Sequence, residues 1–250
     1  MKLKINVNGL KKAKYKQKVK KLLSKANHKT LLGGSIMIYT LSFLPANYSG
    51  FNVCKPSTTK NCKPTCLGVA AGRNVMTQNQ QAKFNRTEMF FKDRENFDAL
   101  LIREVTNGVK LAAKTGKALA FRLNCYSDIP FENVKLAGTG KNVFELFPNV
   151  QFYDYTKRAE RDYALRGKWN NYHMSFSFDG SNYDDVVHVM HHYPWVNIII
   201  VISKDDDFPT EYFGRKTFDA DKTDYRFQDP TGQVGVLRIK GANESELIAS

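Results

Sequence analysis

Short apolar runs alternate with longer amphipathic segments along the chain after residue 34. The apolar runs are rich in β-branched and aromatic residues and are bounded by Gly, Pro, Asn or Asp, a pattern that is typical of strands. The pattern predicts six strands, over residues 35–44, 117–123, 150–155, 172–178, 196–203 and 234–239. Because these strands alternate with helical segments, we expect them to be parallel and joined by crossovers.

The segments between the strands are predicted to be mostly helical. Apolar residues recur every three, four or seven positions over residues 86–114, which predicts one long helix there. Shorter helices are predicted over residues 142–147, 158–166 and 183–192. Residues 204–232 are polar, aromatic and rich in turn residues, so they are predicted to form a long loop.

Length and composition fit one α/β domain. The chain has 250 residues, of which 42% are hydrophobic, enough to bury one substantial core. Six β/α units allow either an open doubly wound sheet or a partial β/α barrel. We expect the six-unit partial barrel, as a single domain over residues 31–250.

The positive charge is concentrated in the first 30 residues. The formal net charge is +14, yet 11 of the lysines lie between Lys2 and Lys29, where there is no Asp or Glu. The rest of the chain is nearly neutral, with 27 basic and 24 acidic residues. A lysine-rich arm over residues 1–30 would suit contacts with nucleic-acid phosphates. The alternative is a solvated tail that only keeps the protein soluble.

The sequence indicates neither a membrane protein nor a secreted one. No window approaches the roughly 18 consecutive apolar residues of a membrane helix, and the Met1 end has no apolar segment followed by a cleavage site. We therefore expect no membrane partner and a cytoplasmic location. Four cysteines in such a chain are metal ligands, catalytic thiols or buried apolar residues more often than disulfides.

Three of the cysteines form a C-x7-C-x3-C pattern in the loop at residues 50–68, directly after the first predicted strand: Cys54, Cys62 and Cys66. In parallel β/α folds, active sites lie at this end of the sheet. Three thiols can hold a metal ion or an iron–sulfur cluster and leave one coordination position open, and we expect a cluster ahead of zinc. The alternatives are ordinary thiols or a structural zinc clip completed by Cys125. Nearby lysines are expected to lower the thiol pKa values: Lys55, Lys60 and Lys63.

Polar residues follow or end the second, third, fourth and fifth predicted strands, and parallel strands would bring them to the cysteine end of the sheet. We expect three of them to be catalytic: Asp128, Asp154 and Lys157. Of these, Asp154 and Lys157 are expected to pair or to act in proton transfer, and Asp128 to bind a ligand's hydroxyl or amino group together with Asn124. Five others are expected to bind a cofactor: Arg122, Asn124, Ser177, Asp179 and Lys204. The alternative for these residues is strand-end capping and hydrogen bonding within loops. Arg122 lies inside a strand, so it either is paired in the barrel interior or reaches an anionic ligand.

Five motifs follow one another along the chain: LPANYSGFNVCKPSTTKNCKPTCLGVAAGRN, FRLNCYSDIPFE, FPNVQFYDYTKR, YHMSFSFDGSN and DYRFQDPTGQVGVLRIKG. In this order they resemble the gene product 88 family of tailed-phage proteins. The similarity runs from about residue 41 to residue 241. It implies a phage origin, and hence the host cytoplasm as the location, but no particular activity.

A second resemblance concerns the cysteine triplet after the first strand of a six-unit β/α domain, which is similar to radical S-adenosylmethionine enzymes. That resemblance implies a [4Fe-4S] cluster with S-adenosylmethionine bound to its open iron. The sequence departs from the usual C-x3-C-x2-C spacing and has no Gly-Gly-Glu after the second strand. The expected function is an enzyme that acts on a nucleotide or nucleic acid recruited by the lysine-rich arm. The alternative is a non-enzymatic module, stapled by zinc, that binds nucleic acid or a host protein.

Overall fold

Nine strands form one mixed sheet in the computed structural model, which describes residues 19–26, 36–54, 62–63, 66–70, 72–163 and 170–239. The strands are β1 Leu23–Lys25, β2 Ile36–Leu41, β3 Ala118–Arg122, β4 Gln151–Thr156, β5 Tyr172–Ser177, β6 Ile198–Ile202, β7 Glu211–Tyr212, β8 Arg215–Asp219 and β9 Val234–Arg238. Their spatial order is β1-β2-β3-β4-β5-β6-β9-β8-β7, and the sheet is not closed. The fold class is therefore α/β, as predicted.

The six predicted strands are confirmed as β2, β3, β4, β5, β6 and β9; β4 is shifted by one residue and the other five are shorter than predicted. They lie side by side in chain order, and every neighbouring pair among them is parallel. Three strands were not predicted. β1 pairs antiparallel with β2, while β8 pairs parallel with β9 and antiparallel with β7.

The described helices are α1 Leu67–Ala70, α2 Thr77–Lys92, α3 Arg94–Thr115, α4 Val143–Leu146 and α5 Tyr183–His192. The single long helix predicted over residues 86–114 is wrong, because the chain breaks at Asp93, whose φ of −142° and ψ of 60° end α2 and begin α3. The helix predicted over residues 183–192 is confirmed. Within the described part of the chain, no helix is both long and apolar enough to cross a membrane.

Two further sequence predictions need correction. Residues 158–162 form a turn instead of the start of a helix, and residues 164–166 lie outside the described residues. The predicted loop over residues 204–232 contains the β7–β8 pair and a short 3-10 turn at Arg226–Gln228. Of the lysine-rich arm, residues 1–18 and 27–30 lie outside the described residues, and Leu23–Lys25 belong to the sheet.

The two faces of the sheet differ in chemistry. One face packs against the helices through a large apolar core that includes Phe97, Phe121 and Phe152. Gly108 allows α3 to approach closely, since a Cβ there would lie 3.0 Å from the Phe121 ring. The opposite face carries Tyr153 and is covered in part by aromatic residues of the 3-10 turn. We call it the tyrosine face.

Candidate functional site

Lys157, the first residue after β4, lies where the ends of three strands meet the cysteine loop. Its ammonium donates a hydrogen bond to the Ser177 hydroxyl at 2.9 Å, and its backbone N–H donates to Asp128 Oδ2 at 2.9 Å. Burial acts to lower the pKa of Lys157, but the negative charges of Cys62 and Asp179, with those of Asp128 and Cys66, raise it above its ordinary value. The geometry thus gathers several of the predicted site residues around one ammonium group.

The three loop cysteines are partly buried and influence one another's ionisation. The pKa of Cys54 is raised to about 11 and that of Cys66 to about 12, mainly by burial; Cys62 contributes to both increases, while Lys157 acts in the opposite direction. The expectation of lowered thiol pKa values is therefore wrong for these two residues. Of the lysines expected to lower them, Lys63 instead donates to Asn47 Oδ1 at 2.8 Å, and the other two lie outside the described residues.

No metal site is already formed by the described part of the chain. No three His, Cys, Asp or Glu side chains there are arranged to hold a metal ion. Cys54 Sγ accepts a hydrogen bond from the Ala46 backbone N–H at 3.3 Å and lies 4.0 Å from the carbonyl oxygen of Tyr126. The fourth cysteine, Cys125, follows β3, and its charge acts on the pKa of Arg122 and Tyr126.

Asn124 and Asp154 lie together on the helix-covered side, where they hold the turn after β3. The Asp154 carboxylate accepts hydrogen bonds from the Asn124 backbone N–H at 2.7 Å, from Asn124 Nδ2 at 3.1 Å and from the Tyr172 hydroxyl at 3.1 Å. The Asn124 side chain also bonds Ser127 and both backbone groups of Ile129. These bonds occupy the amide and the carboxylate, which favours a structural role for both.

Asp128 belongs to a buried ion network next to this turn. Arg161 pairs with Glu132 through Nη2 at 2.6 Å, and its Nη1 lies 3.4 Å from Asp128 Oδ1. The Asp128 backbone N–H also donates to the carbonyl oxygen of Val53 at 2.8 Å. This bond connects the end of β3 to the residue before Cys54, so Asp128 and the cysteine loop lie at the same end of the sheet, as the parallel arrangement predicts.

The remaining predicted residues are distributed over the same end. Asp179 follows β5, and its Oδ1 accepts hydrogen bonds from the Ser181 N–H at 3.2 Å and hydroxyl at 3.0 Å, which orders the turn before α5. Lys204 is exposed in the turn after β6. The structure therefore brings Lys157, Ser177, Asp128, Asp179 and the three loop cysteines together, and leaves Lys204 on the surface.

Arg122 lies at the end of β3, and its guanidinium carbon is 4.4 Å from the centre of the Tyr155 ring. Alternate residues of the neighbouring strands extend this polar face, because Tyr153 pairs with His173 and Tyr155 with Ser175. Parallel strands covered on both sides usually read as continuous apolar runs. The alternate positions Tyr153, Tyr155, His173 and Ser175 were thus the sequence signal for this face, and they were not among the predicted site residues.

A comparison with family models shows which protein family the chain belongs to. The Gene product 88 family model matches residues 9–250. The chain belongs to this family. No curated protein and no solved structure was found to match it.

Lys83 is a buried residue near the cysteines that was not among the predicted site residues. Lys83 on α2 donates from Nζ to the Gly68 carbonyl oxygen at 2.5 Å and to Asn74 Oδ1 at 2.6 Å, and lies 4.7 Å from the centre of the Tyr126 ring. Gly68 must be small, since a Cβ there would lie 2.8 Å from Tyr126. Lys83 therefore fixes the helix that follows Cys66, through partners that are 9 to 43 positions away in the sequence.

Proposed function

We propose that Cys54, Cys62 and Cys66 bind an iron–sulfur cluster of the [4Fe-4S] type and that the protein is an enzyme that uses it. The observation that carries the proposal is the set of mutual electrostatic effects among these thiols and Lys157 at the carboxyl ends of the parallel strands. Ligands bind at this end of parallel sheets.

The donor set fits such a group in its chemistry. Thiolates are the usual ligands of iron–sulfur clusters, and three of them leave one iron open. Ligation requires each thiol to lose its proton, and the raised pKa of Cys54 and Cys66 opposes that loss without a metal. Lys157 lowers the pKa of both thiols, so its ammonium is placed to offset the negative charge of a ligated cluster.

We further propose S-adenosylmethionine as the cofactor. If S-adenosylmethionine were bound to the open iron, the cluster would supply an electron for the reductive cleavage of this cofactor. Six parallel strands in chain order, with the cysteine loop after the first of them, support a partial barrel similar to that of radical S-adenosylmethionine enzymes. The expected substrate is a nucleotide or nucleic acid, because the lysines of residues 1–21 suit phosphate contacts.

A zinc-stapled binding module is the second candidate. The observation that favours it is the apolar environment of Cys66, which packs against a cluster formed by Leu44, Val69 and Phe84. Buried cysteines in such surroundings are more often structural than reactive. In this case the metal would hold the loop, and nucleic acid or a host protein would bind without any reaction.

Metal analysis of anaerobically purified protein tests both candidates. A cluster predicts about four iron atoms per chain and broad absorption near 400 nm, both approximate values for such clusters. Cys62→Ser and Cys66→Ser should remove iron and absorption, whereas Cys125→Ser is the matched control and should retain them. One zinc per chain without iron would favour the binding module. Protein with neither metal, or iron that survives the Cys62→Ser, Cys66→Ser double substitution, would overturn the cluster.

A further inference from the structure

We propose that Arg122 on the tyrosine face binds an oxyanion group, a phosphate or a carboxylate, of a small ligand. The site lies on the opposite face of the sheet from the core and does not include Cys54, Cys62 or Cys66, so the inference does not depend on a metal. Arg122 ends β3, and Thr40 lies beside it on β2. The guanidinium therefore lies at the carboxyl ends of two adjacent parallel strands, where ligands of open α/β sheets bind.

The Tyr155 ring restricts the position of the guanidinium. The guanidinium carbon lies 4.4 Å from the centre of this ring, and Tyr155 belongs to the next strand, β4. A cation–π contact occupies none of the five N–H donors of a guanidinium. Arg122 therefore keeps the planar fork that recognises carboxylate and phosphate through two parallel hydrogen bonds.

The donors of Arg122 lack adequate acceptors within the described residues. Its Nε is inaccessible to solvent and has no hydrogen-bond partner there. The one hydrogen bond of this guanidinium in that part of the chain runs from Nη2 to the Cys125 carbonyl oxygen and is long, at 3.5 Å. Leaving a buried donor unsatisfied is costly, so such groups usually mark a water, an ion or a ligand.

The charge of Arg122 is also not balanced by a carboxylate within ion-pair distance in the described part of the chain. The second arginine near Tyr155 differs in this respect, since Arg226 lies 3.2 Å from Asp229. Burial acts to lower the pKa of Arg122, whereas the charge of Cys125 and, less strongly, that of Asp154 raise it. Asp154 lies on the other face of β4, where its oxygens already accept hydrogen bonds from Asn124. An anionic ligand would supply the missing counter-charge.

Binding to metal-free protein tests the proposal. Phosphate, adenosine 5′-monophosphate and acetate are titrated separately at constant ionic strength, and binding is followed by calorimetry and by the melting temperature. At least one should bind saturably. Arg122→Gln should weaken that binding at least tenfold, and Arg122→Lys should weaken it less, because a lysine keeps the charge but loses the fork. Arg103→Gln, an equal change of charge at an exposed residue of α3, should leave it unchanged.

The three ligands distinguish the possible sources of the oxyanion. Equal affinity for phosphate and the nucleotide indicates free phosphate, tighter nucleotide binding indicates a phosphate ester, and tighter acetate binding indicates a carboxylate. The proposal is overturned if none of them binds saturably, or if Arg122→Gln binds as well as Arg103→Gln. If Arg122→Gln does not fold, the Arg122→Lys variant decides by the same criterion. The Cys62→Ser, Cys66→Ser variant should retain binding, so loss of the cluster and loss of the anion site are separate outcomes.

Discussion

The carboxylate of Glu104 on α3 accepts the backbone N–H of Leu23 at 2.7 Å, and its second oxygen accepts that of the preceding residue at 2.8 Å. Leu22 and Leu23 are almost completely buried, and β1 pairs with β2. The last part of the lysine-rich arm is therefore part of the folded domain, and a helix side chain holds it in place. Residues 19–26 therefore have a structural role, whereas the binding role is proposed for the lysines that precede them.

Glu104→Ala should destabilise the protein by about 1–3 kcal/mol, because two buried backbone donors lose their acceptor. Urea unfolding measures the change. Glu211→Ala removes an exposed carboxylate from β7 and serves as the control, with little effect expected. Equal stability of the two variants would show that β1 is not held by Glu104.

Deletion of residues 1–18 should leave the fold intact and weaken binding to nucleic acid. The deletion removes seven lysines but leaves β1 and its leucines in place. If these lysines contact phosphates, the slope of log affinity against log salt should fall by up to about 6 for double-stranded DNA. Affinity is measured at several salt concentrations for full-length and shortened protein. An unchanged slope would identify the segment as a tail that does not bind nucleic acid.

Cys54 and Cys66 should resist alkylation in metal-free protein. With pKa values raised by burial to about 11 and about 12, both remain thiols at pH 8. Since the thiolate is the nucleophile, iodoacetamide should modify Cys54 about 100-fold and Cys66 about 1,000-fold more slowly than the same residues in urea. Peptide mass spectrometry over time, at pH 8 and pH 10, gives the rates, which should rise with pH. Modification at the unfolded rate at pH 8 would contradict the burial of these thiols.

The sequence predicted the sheet well because its six central strands are dense in β-branched and aromatic residues. It did not predict β1, where two leucines stand among lysines, or the short β7–β8 pair in a polar segment. The break at Asp93 was missed because the helical spacing of apolar residues continues across it. Local composition predicts an element only where its burial and secondary structure depend on near neighbours in the sequence, and these three features do not meet that condition.

The candidate site was predictable in its location but less so in its roles. Polar residues at strand ends meet the cysteines because parallel strands share one carboxyl end. Asp154, however, is bonded to Asn124, 30 positions earlier, and Lys83 to Gly68, 15 positions earlier. Such pairings arise from tertiary packing, so no local pattern distinguishes a structural carboxylate or lysine from a reactive one.

Asp154→Asn should destabilise the protein most at low pH. Burial raises the pKa of Asp154 to about 6, whereas an unfolded Asp titrates near 3.8. Between pH 4 and pH 6 the folded state therefore holds more protons on this group, and its contribution to stability falls as the pH rises. The asparagine does not titrate, so the stability difference from wild type should shrink from pH 4 to pH 7. Urea unfolding across this range measures it, with exposed Asp207→Asn as the control. A gap that widens with pH would contradict the raised pKa.

Lys83→Met should loosen the helix after Cys66 and change the dependence of stability on alkaline pH. The substitution leaves the Gly68 carbonyl and Asn74 Oδ1 without their donor, at a cost of about 1–3 kcal/mol.

Burial lowers the pKa of Lys83 to about 8, although the charges of Cys125 and Cys66 oppose the shift. Between pH 8 and about 10.5, the ordinary lysine value, the unfolded state holds more protons on this residue. The wild-type protein should therefore gain stability relative to Lys83→Met as the pH rises through that range. Lys110→Met, the same substitution at an exposed residue of α3, is the control and should show neither effect. If Lys83→Met and Lys110→Met unfold alike at pH 8 and at pH 10, Lys83 does not hold this helix.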